Sequence, residues 1–99
     1  MNKQQVANLL GLAQRAGRII SGEELVVKAI QEGKVKLVFL AHDAAPNLSK
    51  KINDKSHYYQ VDVSTVFSTL ELSSAIGKAR KVLAITDAGF TKKMRSIMQ

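Results

Sequence analysis

Two short apolar runs constrain the fold of this chain more than any other feature of its sequence. Residues Leu37–Ala41 (LVFLA) and Val82–Ile85 (VLAI) contain no polar side chain. A strand with one solvated face alternates between polar and apolar residues, whereas a short unbroken apolar run rich in branched and aromatic residues is typical of a strand buried on both faces. The sequence therefore predicts a sheet that is covered by helices on each side.

Helical segments with recognisable ends surround these runs. Asn2 is predicted to cap a first helix, whose apolar residues recur at helical spacing until Gly17 ends it, and Asp87 is predicted to cap the last helix. The segment Ser21–Glu24 (SGEE) has the form of a capping box, in which the Ser and Glu side chains satisfy each other's backbone amides. We therefore expect a second helix to start there and to end at Gly33.

The remaining elements complete an alternating pattern. We expect a short strand at Arg18–Ile20, a third helix from Pro46, a third strand at Tyr58–Val61, a fourth helix over residues 64–70, and a loop or broken helix over 71–80. Helices that alternate with short apolar strands predict an α/β fold, a three-layer α/β/α sandwich with a small mixed sheet. The 99 residues correspond to one domain, residues 1–99.

Charge narrows the class of partner. The chain has 15 Lys and Arg residues against 8 Asp and Glu residues, a formal net charge of +7. Such an excess favours a polyanionic partner, nucleic acid before an anionic membrane, with a merely soluble basic surface as the alternative. The chain has no cysteine, which excludes disulfides and thiolate metal sites, and its longest apolar run is far shorter than the ~20 residues of a membrane span. We expect a soluble cytoplasmic protein that does not associate with membranes.

Motifs for catalysis or cofactor binding are incomplete in this sequence. Residues 75–79 (AIGKA) resemble the end of a phosphate-binding P-loop, but Leu72 replaces its first glycine and Ala79 its magnesium-binding hydroxyl. His42 and Asp43 follow a predicted buried strand, without the ligand spacing of a metal site. We therefore predict no enzyme activity, no cofactor and no metal. A hydrolase that uses His42 and Asp43 is an alternative, and it requires a polar pocket at the end of that strand.

Basic residues form two clusters around the predicted turns: Arg15, Arg18 and Lys28, and then Lys78, Arg80 and Lys81. If the last strand is ordered as in other α/β/α domains, both clusters lie at one edge of the molecule. Further basic residues on the third and last helices are more typical of solvated faces: Lys50, Lys51, Lys55, Lys92, Lys93 and Arg95. Few aromatic residues interleave with the basic ones, which favours a folded RNA recognised by shape and backbone over a single strand bound by base stacking.

Two segments carry a family resemblance. Residues Ser21–Val38 (SGEELVVKAIQEGKVKLV) resemble the signature of the kink-turn-binding ribosomal-protein family, which includes large-subunit proteins seven-Ae and thirty-e, and in particular its bacterial YlxQ-type members. Residues Leu72–Lys78 (LSSAIGK) are similar to the family's second RNA-facing loop. The resemblance implies an α/β/α sandwich that grips a sharply bent structured RNA, ribosomal RNA being one candidate, with the start of the second helix and the loop before the last strand.

The resemblance and the charge pattern together predict ten RNA-binding residues, of which Arg18, Lys78 and Arg80 are phosphate contacts predicted from charge and position. The ten are Arg18, Gly22, Glu24, Leu25, Lys28, Ala75, Ile76, Gly77, Lys78 and Arg80. Lys28 keeps the family's residue and is the best single candidate, although an ion pair with Glu24 four residues earlier is the structural alternative. Gly22 and Gly77 have an alternative role in backbone shape. Ala75 and Ile76 pack either on a nucleotide or in the core.

One dipeptide departs from the family pattern. Kink-turn binders carry Asn-Glu, or Lys-Gln in some members, where this chain has Glu24 and Leu25. In the family the Asn amide and the Glu carboxylate address guanines of the bent loop, whereas Leu25 cannot hydrogen-bond and Glu24 faces phosphates with like charge. The departure leaves one alternative to RNA binding open, a protein-interaction module on the same fold that has lost kink-turn recognition.

Overall fold

Helices and strands alternate along the computed structural model, which describes residues 1–98. In chain order the elements are α1 (Lys3–Arg15), β1 (Ile19–Ser21), α2 (Glu23–Gln31), β2 (Leu37–Leu40), α3 (Pro46–Tyr58), β3 (Asp62–Ser64), α4 (Thr69–Ile76), β4 (Val82–Ile85) and α5 (Ala88–Met98). Within the described residues, no helix combines the length and the apolar character that crossing a membrane requires.

The four strands form a mixed sheet with the order β1-β4-β2-β3. Strand β4 runs antiparallel to both β1 and β2, with Ala84 opposite Ile20 on one side and Val38 on the other, while β3 runs parallel to β2. This pairing places the end of β1 beside the start of β4, where the Gly22 amide donates to the Val82 carbonyl at 3.0 Å. Two chain segments that are far apart in sequence thus meet at one end of the sheet.

The two apolar runs are the buried centre of the fold, as predicted. All four residues of β2 and all four of β4 are buried. Because side chains alternate across a strand, Phe39 and Leu83 face a core shared with α1, α4 and α5, while Val38 and Ala84 face a second core shared with α2 and α3. This confirms the three-layer α/β/α sandwich.

Three predicted helix ends are confirmed. The Asn2 side chain accepts a hydrogen bond from the Gln5 amide at 3.0 Å, and Asp87 accepts one from the Phe90 amide at 2.8 Å. Gly33, just beyond α2, has a φ of +71°. These local signals were readable because a cap involves residues within one turn of each other.

The predicted strand at Tyr58–Val61 is wrong. Helix α3 continues through Tyr58, Tyr59 forms its end, and Gln60 turns the chain with a φ of +59°. The strand begins only at Asp62, opposite Leu37 of β2. Pairing with β2, a contact that local propensity does not contain, decides where β3 lies.

The predictions for residues 64–80 are also wrong. Ser64 belongs to β3, and α4 covers most of the segment that was expected to be a loop. Helix α4 begins after Ser68, whose hydroxyl accepts from the Glu71 amide at 3.1 Å while the Glu71 carboxylate accepts from the Ser68 amide at 2.9 Å. The chain therefore has a complete capping box, but at Ser68 rather than at Ser21.

Candidate nucleic-acid interface

Helix α2 starts at a glycine instead of a capping side chain. Gly22 is its N-cap residue, with φ +95° and ψ +151°, a conformation that is essentially restricted to glycine. The predicted capping box at Ser21 is wrong because Ser21 still belongs to β1, where it pairs with Leu83, and its hydroxyl accepts a hydrogen bond from Arg80 Nε at 3.1 Å. The first amides of α2 are therefore not capped by a side chain.

The loop between α4 and β4 is fastened beside this helix start. Gly77 ends α4 in the left-handed conformation, with a φ of +78°. The Ser73 hydroxyl accepts from the Arg80 amide at 3.0 Å and donates to the Arg80 carbonyl at 3.2 Å. The Arg80 side chain donates from Nη1 to the Ala79 carbonyl at 2.7 Å and from Nε to Ser21. Arg80 thus joins the loop to the end of β1 and leaves Nη2 without an intramolecular acceptor in residues 1–98.

Six of the ten residues predicted to bind RNA lie on one continuous surface. Two adjoining open grooves share Leu25 and Arg80, one at the start of α2 and the other along the outer edge of β1. We call the surface that these six residues form the α2–loop surface: Gly22, Glu24, Leu25, Lys28, Lys78 and Arg80. Of the two basic clusters expected at one edge, only Lys28 of the first lies beside Lys78 and Arg80 of the second, whereas Arg15 lines the groove between α1 and α4. Gly77 ends α4 immediately before Lys78.

Three expected residues lie elsewhere. The Arg18 carbonyl accepts from the Thr86 amide at 3.0 Å, and its side-chain Nε lies 3.9 Å from Asp87, so the full length of β1 separates Arg18 from Gly22. Ile76 is buried in the core with α1 and α5, and Ala75 lines a groove between α1 and α4. The structure thus places Arg18, Ala75 and Ile76 outside the α2–loop surface.

The cations of this surface have no acidic partner among the described residues, a property that they share with Arg15, Lys55, Lys92 and Lys93 on other helices. Across the described chain, no ion pair includes Lys28 or Lys78, and the alternative pair between Lys28 and Glu24 is not formed. Three other basic residues of α3 and α5 do lie against carboxylates: Lys50 with Asp54 at 2.8 Å, Lys51 with Glu23 at 3.0 Å, and Arg95 with Asp62 at 2.9 Å. No carboxylate of the described residues is therefore bound to the ammonium groups of Lys28 and Lys78, and Glu32, which lines the same groove, is paired with Lys34 at 3.1 Å.

Sequence analysis missed the residues that hold the surface in shape. The hydroxyls of Ser21 and Ser73 orient Arg80, and Lys34 lines the groove together with Lys28 and Lys78. A serine in a strand or helix carries no signal of a partner that is 59 residues away in the chain, the separation between Ser21 and Arg80. Only the pairing of β1 with β4 brings these groups together.

Asp43, a candidate catalytic residue of the hydrolase alternative, has a structural role. Asp43 accepts hydrogen bonds from the Thr69 hydroxyl at 2.7 Å and from the Thr69 amide at 2.9 Å, and these bonds hold the pKa of the Asp43 carboxyl below its usual value. Asp43 therefore fastens the end of β2 to the start of α4. Among residues 1–98, no group of three or more His, Cys, Asp and Glu side chains could hold a metal ion.

Gly77 and Lys78, which resemble the end of a P-loop, lie at the wrong end of a helix for that kind of phosphate binding. A P-loop precedes a helix, so that helix amides point at the phosphates. Here Gly77 and Lys78 follow the C-terminal end of α4, where carbonyl groups rather than amides face outward. The structure therefore agrees with the sequence-based rejection of this motif.

Comparison with known proteins assigns the family. A model of the ribosomal protein L7Ae/L30e/S12e/Gadd45 family matches residues 4–95. The chain belongs to this family. This confirms the resemblance that residues 21–38 and 72–78 carry, and it agrees with the observed three-layer fold.

Two proteins and one solved structure are similar to this chain along nearly its whole length. RNA-binding protein YlxQ of Enterococcus faecium is 48% identical over 98 residues, which cover 99% of this chain and 95% of that protein. RNA-binding protein YlxQ of Bacillus subtilis (strain 168) is 48% identical over 91 residues, which cover 91% of each. The structure of a protein with unknown function from Bacillus halodurans C superposes with a TM-score of 0.90 at 44% identity and covers 95% of this chain and 96% of that one. None of these names is that of an enzyme.

Proposed function

We propose that this protein binds structured RNA without catalysing a reaction, and that its target is a kink-turn or a related sharply bent internal loop. The observation that carries the proposal is that Lys28, Lys78 and Arg80 line one groove, where the Ser21 hydroxyl holds Arg80 in place. The two YlxQ relatives, at 48% identity, are named RNA-binding proteins, which supports the same class of function. The family's name makes ribosomal RNA the first target to test.

Each group of the α2–loop surface has a physical role in this proposal. The ammonium groups of Lys28 and Lys78 neutralise phosphates, and Arg80 presents Nη2 as a further donor. Apart from Gly22 and its two chain neighbours, no described residue has an atom within 4 Å of the place that a Cβ on Gly22 would occupy, so an RNA backbone has room to approach there. The first amides of α2, at the positive end of the helix dipole, then lie close to phosphate oxygens.

Glu24 and Leu25 determine the expected mode of recognition. Leu25 is 60% exposed and has no hydrogen-bonding group, so it offers a guanine edge only apolar contact. The negative charge of Glu24 lowers the attraction for a phosphate close to it. We therefore expect binding led by the RNA backbone and its bend, with weaker discrimination between bases than a bidentate contact of ~1–3 kcal/mol provides.

The salt dependence of RNA binding tests the proposal. Each phosphate neutralised adds roughly −0.7 to −0.9 to the slope of log affinity against log salt concentration. We expect the double variant Lys28→Ala with Lys78→Ala to bind a kink-turn hairpin more weakly and with a slope reduced by about 1.4 to 1.8. Fluorescence anisotropy at four or more KCl concentrations measures both quantities.

The matched control removes two lysines from the opposite layer of the fold. Lys92→Ala with Lys93→Ala on α5 lowers the net charge equally, and we expect it to leave the slope close to that of the parent. If both double variants change the slope by the same amount, long-range charge rather than the α2–loop surface accounts for the binding. Lack of affinity of the parent for any folded RNA would favour the protein-interaction alternative.

A further inference from the structure

The second half of α3 exposes an aromatic and basic surface that the proposed site does not use. Tyr58 is 78% exposed and Tyr59 is 38% exposed, and their ring centroids lie 4.9 Å apart in an edge-to-face arrangement. Lys51 and Lys55 line the same shallow groove as the two tyrosines. Exposed aromatic rings beside lysines were not expected from the sequence, because Tyr58 and Tyr59 were assigned to a strand.

Helical spacing aligns three of these residues. Lys51, Lys55 and Tyr58 stand at positions i, i+4 and i+7, which lie on one face of a helix. We call them the α3 stripe. It extends about 10 Å along α3, because each residue of a helix adds 1.5 Å. The stripe is therefore long enough to follow several nucleotides of a bound strand.

The stripe is continuous with the α2–loop surface. Lys51 Nζ lies 3.0 Å from the carboxylate of Glu23, the residue that follows Gly22. An RNA that contacts the start of α2 and continues towards α3 thus meets Lys51, then Lys55, and finally the ring of Tyr58. Both acidic groups beside the stripe are paired, Asp54 with Lys50 at 2.8 Å and Glu23 with Lys51, which leaves Lys55 as the cation of the stripe that takes part in no ion pair of the described residues.

We propose that the α3 stripe binds unpaired nucleotides that flank the bent RNA element, with the ring of Tyr58 stacking on a base and Lys55 contacting the adjoining phosphate. The inference rests on the proposed function and names a second part of the RNA target. Bases inside a duplex are stacked on each other and not available, so the occupant of the stripe is single-stranded. Stacking on an aromatic ring accepts any base, because every base has a π-face.

Affinity for three RNAs tests the inference. The first is a kink-turn hairpin with a blunt end, and the other two carry a tail of six uridines at the 5′ or the 3′ end. We expect one tail to strengthen binding by about five- to hundredfold, the range that one stacked base gives. Tyr58→Ala should abolish this gain without changing the affinity for the blunt hairpin, and Tyr58→Phe should keep it.

A second readout reports on the tyrosines directly. The chain has two tyrosines and both lie on this surface, so a protein labelled with 3-fluorotyrosine gives fluorine NMR signals from this patch alone. We expect the Tyr58 signal, assigned with Tyr58→Phe, to shift on addition of octauridine, a single strand that contains no kink-turn. This measurement tests the stripe even if the hairpin does not bind.

The outcomes separate the two proposals. If Lys28→Ala weakens binding of all three RNAs while neither tail adds affinity and octauridine moves no tyrosine signal, the α3 stripe is not an RNA site and the proposed function stands. If octauridine moves the Tyr58 signal but no hairpin binds, the inference about single strands stands and the kink-turn proposal fails. A shift caused by phosphatidylglycerol vesicles and by neither RNA would assign the stripe to a lipid surface and overturn the inference.

Discussion

The starts of α2 and α4 are built in opposite ways. At α4, Ser68 and Glu71 cap each other's amides, the Glu71 carboxylate also binds Lys3 Nζ at 2.8 Å, and Asp43 accepts from the Thr69 amide at 2.9 Å. At α2, the N-cap is Gly22 and no side chain caps the first amides. One helix start is closed by the protein itself, and the other is open to solvent.

This difference separates a structural helix start from a candidate binding one. The amides and charges of α4 already have partners, so an external anion would have to displace them. The start of α2 costs only a few tenths of a kcal/mol in capping, because glycine is an acceptable N-cap. The first amides of α2 and the neighbouring Lys28 can therefore bind an external anion. The comparison predicts that changes at α2 alter RNA binding, whereas changes at α4 alter stability alone.

The largest effect is expected from Gly22→Ala. The φ of +95° with ψ of +151° is strained for a residue with a Cβ, and the cost is about 1–3 kcal/mol. The new methyl group also occupies the space through which an RNA backbone approaches. We therefore expect a lower free energy of unfolding and at least about a tenfold loss of RNA affinity, which corresponds to 1.4 kcal/mol. Urea denaturation and anisotropy titration measure the two effects.

Gly33→Ala is the matched control for this variant, since it strains the opposite end of the same helix. Gly33 has a φ of +71°, and no described residue other than its two chain neighbours has an atom within 4 Å of the position that its Cβ would occupy. A left-handed conformation costs a non-glycine residue about 1–2 kcal/mol. We expect a loss of stability with unchanged RNA affinity. Equal losses of affinity in both variants would show that general destabilisation, rather than the open helix start, governs binding.

An intermediate effect is expected from restoring the family dipeptide. Glu24→Asn with Leu25→Glu supplies an amide and a carboxylate that can pair with guanine edges, a contact worth ~1–3 kcal/mol on the DNA scale. Because Glu24 forms no internal ion pair in residues 1–98 and Leu25 is 60% exposed, little internal contact is lost. We expect affinity for a standard kink-turn to rise by about five- to hundredfold, with a straight duplex of equal length bound no more tightly.

Two results together would contradict this interpretation of the open start. If the restored variant is stably folded and gains no affinity, and if Lys28→Ala in the parent also leaves RNA binding unchanged, the α2–loop surface is not the RNA site. The protein-interaction alternative would then be preferred. Melting temperatures recorded beside the affinities exclude unfolding as the cause.

Local signals account for the parts of the fold that were predictable. The runs of β2 and β4, the caps at Asn2 and Asp87, and the helix end at Gly33 each depend on residues within a few positions of one another. The prediction of a strand at Tyr58–Val61 was wrong because the position of β3 depends on a distant contact, its pairing with β2. The β-favouring residues at Tyr58 and Tyr59 instead form the end of helix α3. Ser21 does not cap α2 because it belongs to β1, where it pairs with Leu83. Gly22 is therefore the N-cap residue of α2.

The candidate site shows the same limit. The cations Lys28 and Lys78 were identified from charge and resemblance, but their position on one surface follows from the pairing of β1 with β4. Arg18 belongs to the same cluster in sequence, yet β1 carries it to the opposite end of the sheet, beside Asp87. Charge clusters in a sequence therefore predict the kind of partner better than they predict the membership of a site.

The smallest effect is expected at the closed start of α4, in the pH dependence of stability. The hydrogen bond from Lys3, followed by that from the Ser68 amide, lowers the pKa of Glu71 from 4.5 to about 2. A carboxyl whose pKa is lower in the folded state stabilises the protein above its unfolded pKa, and the contribution is lost as pH falls from about 4.5 towards 2. Glu71→Gln keeps an acceptor for the Ser68 amide and removes the charge. We therefore expect the variant to be less stable than the parent at pH 6, with a difference that shrinks as pH falls.

Urea denaturation at several pH values between 6 and 3 measures this difference. Lys3→Ala is the companion variant, because Lys3 is the first cause of the lowered Glu71 pKa, and it should reduce the pH dependence in the same direction. Both variants should bind the kink-turn hairpin as the parent does at pH 7, since neither residue belongs to the α2–loop surface. A stability difference for Glu71→Gln that stays constant with pH would show that its charge contributes nothing specific to the folded state. A loss of RNA affinity in either variant would mean that the start of α4 is not closed to ligands, which removes the basis for distinguishing it from the start of α2.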